Sequence, residues 1–237
     1  MYVRPKDIAA KLNISTSALR NYEAQGLVPP ADRSANGYRM YKEEHIAYFE
    51  CIQAMSPGFG MEVTKEVLCN IQAKKMDDAL RLVNEVQANL HRDIKRAEET
   101  ISILKSDRPR LDRSSESLEW KTIGEVSAET SLPSSTIRYW ESIGLITSSR
   151  DPHNGYRIFS PSQIRKILLL RTLRPAVYSY DLVGLKQAIG ALDHNDAEHA
   201  IKIAQDSLAY LNKINQKLLR GSYYLYRLLL QLKLVSD

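Results

Sequence analysis

Cysteine is scarce in this chain. Cys51 and Cys69 are the only two among 237 residues, and neither belongs to a CxxC or Cys/His spacing. A structural zinc site needs four N or S ligands at short, regular spacing, so none is expected. The scarcity also fits a reducing compartment, where disulfides do not persist. His194 and His199 are five residues apart and fall on different helix faces, which argues against a shared metal. Long apolar runs are missing as well. The greasiest stretch, Tyr223 to Val235, is broken by Arg227 and Lys233 and falls short of the ~20 residues that cross a bilayer. The segment Met1-Tyr2-Val3-Arg4-Pro5-Lys6-Asp7 lacks the apolar core of a signal peptide. No nucleophile–base motif, phosphate-cradling loop or metal cluster is present. These absences lead us to expect a cytoplasmic protein that is not an enzyme, with no cofactor, no metal and no membrane partner.

What is present is mildly basic. Thirty-three Lys and Arg against 28 Asp and Glu leave a net charge of +5, which is compatible with a nucleic-acid partner without requiring one. A chain of this length suits two modest domains.

The sequence then says the same thing twice. Arg20-Asn21-Tyr22-Glu23-Ala24-Gln25-Gly26-Leu27-Val28 returns as Arg138-Tyr139-Trp140-Glu141-Ser142-Ile143-Gly144-Leu145-Ile146. Asn36-Gly37-Tyr38-Arg39-Met40-Tyr41 returns as Asn154-Gly155-Tyr156-Arg157-Ile158-Phe159. The offset is 118 for both motifs (138 less 20, and 154 less 36). A constant offset is expected when nothing has been gained or lost between them, so each copy is one structural unit.

Within copy one, Ile8 and Leu12 are one helical turn apart and Asn13 closes a short helix. Ser15 or Thr16 offers the N-cap of a second helix, and Gly26 stops it. In copy two, Ile123 and Val126 precede a turn at Ser131-Leu132-Pro133-Ser134, with proline starting the second helix. Two short helices joined tightly form a helix-turn-helix. Asn-Gly then signals a hairpin, and the strand leaving it alternates aromatic or apolar with basic residues, as a β-wing would. A third helix is expected near Lys42 and near Ser160. Breaks at Pro57-Gly58 and Pro175 lead to a fourth, Glu62 to Ile71 and Tyr180 to Ala191. Heptad seams follow. Met76, Leu80, Val83, Gln87, Leu90, Ile94, Ala97, Ile101 and Leu104 form one; Ala197, Ile201, Ala204, Leu208, Leu211, Asn215 and Leu218 form the other. Gly221-Ser222 is expected to bend or end the second.

The chain is therefore mainly α, with two winged helix-turn-helix heads, each followed by a long coiled-coil helix. The expected divisions are a head at 1–72, a long helix at 73–104, a linker at 105–119, a head at 120–192, and a second long helix with an apolar tail at 193–237.

The Arg-x-aromatic-Glu-x-x-Gly-Leu run, the Asn-Gly-Tyr-Arg wing and the coiled-coil helix resemble the MerR-type winged-helix transcription regulators of bacteria. The resemblance implies DNA contacts at Thr16, Ser17, Arg20, Tyr22, Tyr38, Arg39 and Lys65 in copy one. In copy two it implies Ser134, Ser135, Arg138, Trp140, Tyr156, Arg157 and Lys186. A guanidinium at Arg20 or Arg138 suits a phosphate or a guanine edge. Arg39 and Arg157 would reach the flanking backbone or minor groove. Tyr22 and Trp140 either pack into the head or present a ring edge, and Tyr38 and Tyr156 serve packing or contact. Glu23 and Glu141 are read as structural in preference to contacting DNA. Cys51 is read as core.

Family members pair as homodimers through their long helices. The resemblance thus implies either an intrachain pseudo-dimer reading two unlike half-sites or a four-headed homodimer. It also implies distortion of double-stranded promoter DNA for RNA polymerase, with the protein held at the nucleoid. The alternative function is architectural, bridging DNA or organising the chromosome. The cysteines that metal-responsive relatives place beside the dimerisation helix are missing. The tyrosines Tyr178, Tyr180, Tyr210, Tyr223, Tyr224 and Tyr226 are read as packing rather than as a ligand pocket.

Overall fold

The computed structural model describes residues 2–106, 120–172 and 197–236, as two compact units. The first unit holds Met1–Leu90 with Asn212–Asp237, and the second holds His91–Leu211. The expected fourth helix of copy two, its lead-in at Pro175 and most of the linker lie outside the described residues.

In the first unit, α1 (Pro5–Leu12) ends where Asn13 takes a left-handed φ of 53°, and α2 (Thr16–Ala24) begins at once. Of the two candidate caps, Ser15 is the one used: its hydroxyl accepts from the Ala18 N–H at 3.0 Å. Gly26, with φ +76°, turns the chain out of α2. The wing pairs β1 (Asp32–Arg33) with β2 (Arg39–Met40), and an isolated bridge joins Val3 to Tyr41. α3 (Glu43–Phe59) and α4 (Met61–Gln72) complete the head over a core that includes Leu19, Leu27, Tyr41, Phe49, Ile52 and Leu68.

One expected break moves. α3 runs through Pro57 and Gly58 and stops at Gly60, whose φ of +80° no helix accepts. Pro57 removes a single intrahelical bond, that to the carbonyl of residue 53, and the remaining ladder carries the helix on.

The second unit repeats the plan with α6 (Ile123–Thr130), α7 (Ser134–Ser142), β4 (Ser149–Arg150), β5 (Arg157–Phe159) and α8 (Pro161–Thr172). The single bridge of the first head widens here into a third strand, β3 (Lys121–Thr122), paired with β5. Thr122 caps α6 in a reciprocal capping box with Glu125.

Two long helices run through the chain: α5 (Met76–Ser106) and α9 (Ala197–Gln231). The seam positions Val83, Leu90, Ala97, Ile101, Leu104, Ile201, Ala204, Leu211 and Leu218 are buried. Gln87, the polar intruder, donates from Nε2 to the Ser222 hydroxyl at 3.3 Å within the first unit. Contrary to one of the two expectations, Gly221 does not end its helix, which runs on to Gln231. It is buried against α3, where an added Cβ would lie 2.9 Å from Phe59 Cε2 and 3.1 Å from Met55 Cα. The glycine permits close approach of two helices, and the apolar tail is a continuation of α9.

In the second unit, Ile101 and Leu104 of α5 join Val126, Ile137, Trp140, Phe159 and Ile167 of the head in one core, together with Ala200, Ile201 and Ala204 of α9. Arg171, 6% exposed, donates from Nη1 to the Thr130 carbonyl at 2.8 Å. Its Nη2 reaches the Arg96 carbonyl and Glu99 of α5. The equivalent residue in the first head, Gln53, makes the matching bond to the Leu12 carbonyl at 2.7 Å.

Candidate nucleic-acid interface

Each head presents its second helix by the same logic. Leu19 and Ile137 are fully buried, so the residues that follow them, Arg20 and Arg138, emerge into solvent. Ser17 and Ser135 are exposed at the helix start, with Thr16 and Ser134 half-buried beside them. Lys65 is exposed on α4, and Lys186 lies outside the described residues.

The glutamates clamp helix to wing. Arg39 Nε donates to Glu23 Oε2 at 2.7 Å, and the Tyr41 hydroxyl donates to the same oxygen at 3.3 Å. Burial, reinforced by the Glu23 charge, pushes the Tyr41 hydroxyl up to about 12, so it remains a donor at ordinary pH. The Ala31 N–H reaches the other Glu23 oxygen at 3.4 Å. In the second head Arg157 Nε donates to Glu141 Oε2 at 2.9 Å, and the Ser148 hydroxyl donates to Oε1. The wing arginines thus have a structural partner as well as exposed surface.

The strand register reveals residues that the repeat concealed. Arg33 lies directly opposite Arg39, and Arg150 directly opposite Arg157. The first pair is six residues apart and the second seven. The second hairpin is therefore one residue longer, compensated by one residue fewer between α7 and β4. The constant offset of 118 hides two cancelling changes, which corrects the expectation that nothing was gained or lost. At that offset Arg33 aligns with Asp151 and Arg150 with Asp32, so neither stands out as a repeated residue. Each first-strand arginine is exposed and donates from Nη1 to the carbonyl of the wing glycine, Gly37 at 3.1 Å and Gly155 at 2.9 Å. Directly opposed residues share a face of the ribbon, and like charges placed so repel. Glu23 and Glu141 each offset one charge of the pair, that of Arg39 or Arg157.

The aromatic positions divide. Tyr38 and Tyr156 stand out at 74% and 68% exposure. Tyr22 is half-buried, its ring 6.4 Å from that of Phe49. Trp140 is 9% exposed and belongs to the core of the second unit, so a contact role for its ring is replaced by packing: the larger indole fills the head. The exposed aromatic there is its neighbour Tyr139. Cys51 is buried, its thiol pushed up to about 12 by desolvation, which suits the core reading. Among the described residues no group of three metal-ligating side chains lies together, and no helix is long and apolar enough to cross a membrane.

Comparison with known proteins fits this geometry. The model of the family described as "MerR family regulatory protein" matches twice, at residues 4–41 and 122–159. The HTH-type transcriptional regulator CueR of Salmonella typhi is 35% identical over 91 residues, covering 37% of this chain and 66% of that protein. CueR of Escherichia coli O157:H7 is likewise 35% identical over 91 residues, 67% of its length. The mercuric resistance operon regulatory protein of Bacillus cereus is 26% identical over 116 residues, 46% of this chain and 87% of that protein. The chain thus spans just under two thirds of the length of the Salmonella typhi relative. No solved structure matches it.

Proposed function

The chain belongs to the MerR family of regulatory proteins, and on that premise we propose that it is a sequence-specific double-stranded DNA-binding transcription regulator. The observation that carries this reading is the opposed arginine pair on each wing, Arg33 with Arg39 and Arg150 with Arg157. The exposed Arg20 and Arg138 of the second helices stand with them. Four guanidiniums arranged on two equivalent ribbons suit phosphates, while α2 and α7 suit a major groove.

The two heads act as a pseudo-dimer in one chain and read an operator with two unlike half-sites. Support comes from inside each unit taken by itself. In the first, the C-terminal part of α9 packs on α3 at Gly58 and Gly221 and meets α5 at Gln87. In the second, the C-terminal part of α5 packs on the other head through Ile101, Leu104 and the Arg171 bonds. Each head is thus braced by the long helix that follows the other. The bound operator is distorted so that promoter elements align for RNA polymerase, at a deformation energy of order 1–6 kcal/mol.

Selection of bound genomic DNA, with footprinting of the sites recovered, tests the reading. One discrete asymmetric site upstream of a gene is expected. Protection that spreads without a boundary would favour the architectural alternative and overturn regulation.

A further inference from the structure

The two recognition helices carry the same scaffold and different outer faces. Buried Leu19 and Ile137 correspond, the clamps at Glu23 and Glu141 correspond, and Arg20 corresponds to Arg138. Beyond these the exposed positions diverge. α2 goes on to Asn21 and Ala24 with Gln25 just past its end, whereas α7 goes on to Tyr139 and Ser142 with Ile143 just past its end. Tyr139 and Ile143 are 60% and 50% exposed and sit one turn apart. The first head folds with polar residues at both places, so the scaffold does not require an apolar pair there. Two large apolar side chains held in water beside the arginine of a DNA-facing helix call for an apolar ligand.

Double-stranded DNA offers one such group in the major groove, the C5 methyl of thymine, while an Asn or Gln amide pairs bidentately with adenine N6 and N7. We propose that the second head selects thymine through Tyr139, supported by Ile143, and that the first head selects adenine through Asn21. The Asn21 amide is exposed and makes no side-chain hydrogen bond with another described residue, which leaves its donor and acceptor available. The inference rests on the DNA-binding reading above and assigns to each head the base that fixes its half-site.

The test begins with a duplex selected from random sequence by the full chain. Thymines of each half-site are then replaced by deoxyuridine, which lacks only the methyl group, and adenines by 7-deazaadenine, which lacks the N7 acceptor. Loss of methyls should weaken binding at one half-site only, about fourfold for each methyl buried. Tyr139→Asn, which installs the residue the other head carries naturally, should abolish that sensitivity while the protein stays folded. Deaza substitution should weaken the other half-site, and Asn21→Ala should remove that effect. Uracil and thymine half-sites bound equally well, or a Tyr139→Asn variant that keeps full methyl sensitivity, would overturn the thymine assignment. Enrichment of no sequence at all would overturn sequence-specific binding itself, an outcome distinct from methyl-independent binding.

Discussion

Arg39 and Arg157 anchor the wing to Glu23 or Glu141 through Nε, and under the proposed function the rest of each guanidinium meets phosphate. Among the described residues Arg33 and Arg150 carry no such anchor and bond only a carbonyl of their own hairpin. Substitution separates the two roles. Arg33→Ala and Arg150→Ala should each flatten the dependence of log K on log salt by about one unit and leave the melting temperature unchanged. Arg39→Ala and Arg157→Ala should flatten the slope similarly and also lower the melting temperature. An unchanged slope in all four would remove the wings from the interface. Acid response is a second residue-scale property. Glu125 is held below the usual glutamate range by the Thr122 backbone N–H, and Asp7, its counterpart, by Arg4. Both folded-state values are lowered, so this stabilisation is present above the ordinary carboxylate range and is lost as pH falls through the depressed values. Thr122→Ala keeps that N–H and removes the hydroxyl that caps Glu125 N and also donates to the Glu125 carboxylate. It should cost about 0.5–2 kcal/mol at neutral pH, and only the share due to the hydroxyl–carboxylate bond should shrink on acidification. Asp93, raised by burial, has the opposite sign: its ionised form is disfavoured in the fold, so its effect on stability improves as pH falls.

At the scale of elements, glycine marks the limit of what periodicity could reveal. Gly26 and Gly144 both stop helices with φ +76° and open space where a Cβ would stand, which is the ordinary signal. Gly58 and Gly221 sit inside helices, and their neighbours are the reason: a Cβ on Gly58 would lie 3.0 Å from the Leu218 nitrogen. Nothing local in the sequence distinguishes the two uses. Only the approach of α3 to α9 does. Helix propensity favours Ala over Gly by about 1 kcal/mol, so Gly221→Ala gains locally what it loses in crowding. Gly221→Leu has no such balance and should destabilise by about 1–3 kcal/mol or more, read as a lowered midpoint in urea. A midpoint equal to wild type would mean that α3 and α9 do not approach so closely. The heptad seams were legible because burial recurs at the helical period, and the heads were legible because the motifs repeat. The wing arginine pairs were not, since a one-residue slip in a hairpin changes which residues face each other without changing the count between motifs. Replacing residues 16–22 by the sequence of 134–140 should make the two half-site preferences converge. Unaltered preferences would place readout elsewhere.

For the whole molecule, net charge proves a poor guide to the interface. Between residues 212 and 236 lie Lys213, Lys217, Arg220, Arg227 and Lys233 with no acidic residue. Removing those five from 33 leaves 28 basic residues, matching the 28 acidic ones. The basic excess therefore belongs to the end of α9, and the first head, residues 1–72, balances eight against eight. Under the proposed function it is the local placement of arginines, not overall charge, that suits the wings to DNA. The duplication suggested a half-dimer copied whole. Each unit now contains a head, part of the helix that follows it or leads away from it, and part of the other long helix. That composition suits the proposal that the chain serves as its own partner. Sedimentation equilibrium of the full chain with its selected operator duplex tests this most directly. One chain per duplex is expected, with both half-sites protected and unlike in sequence. Two chains per duplex, on a palindrome, would contradict it.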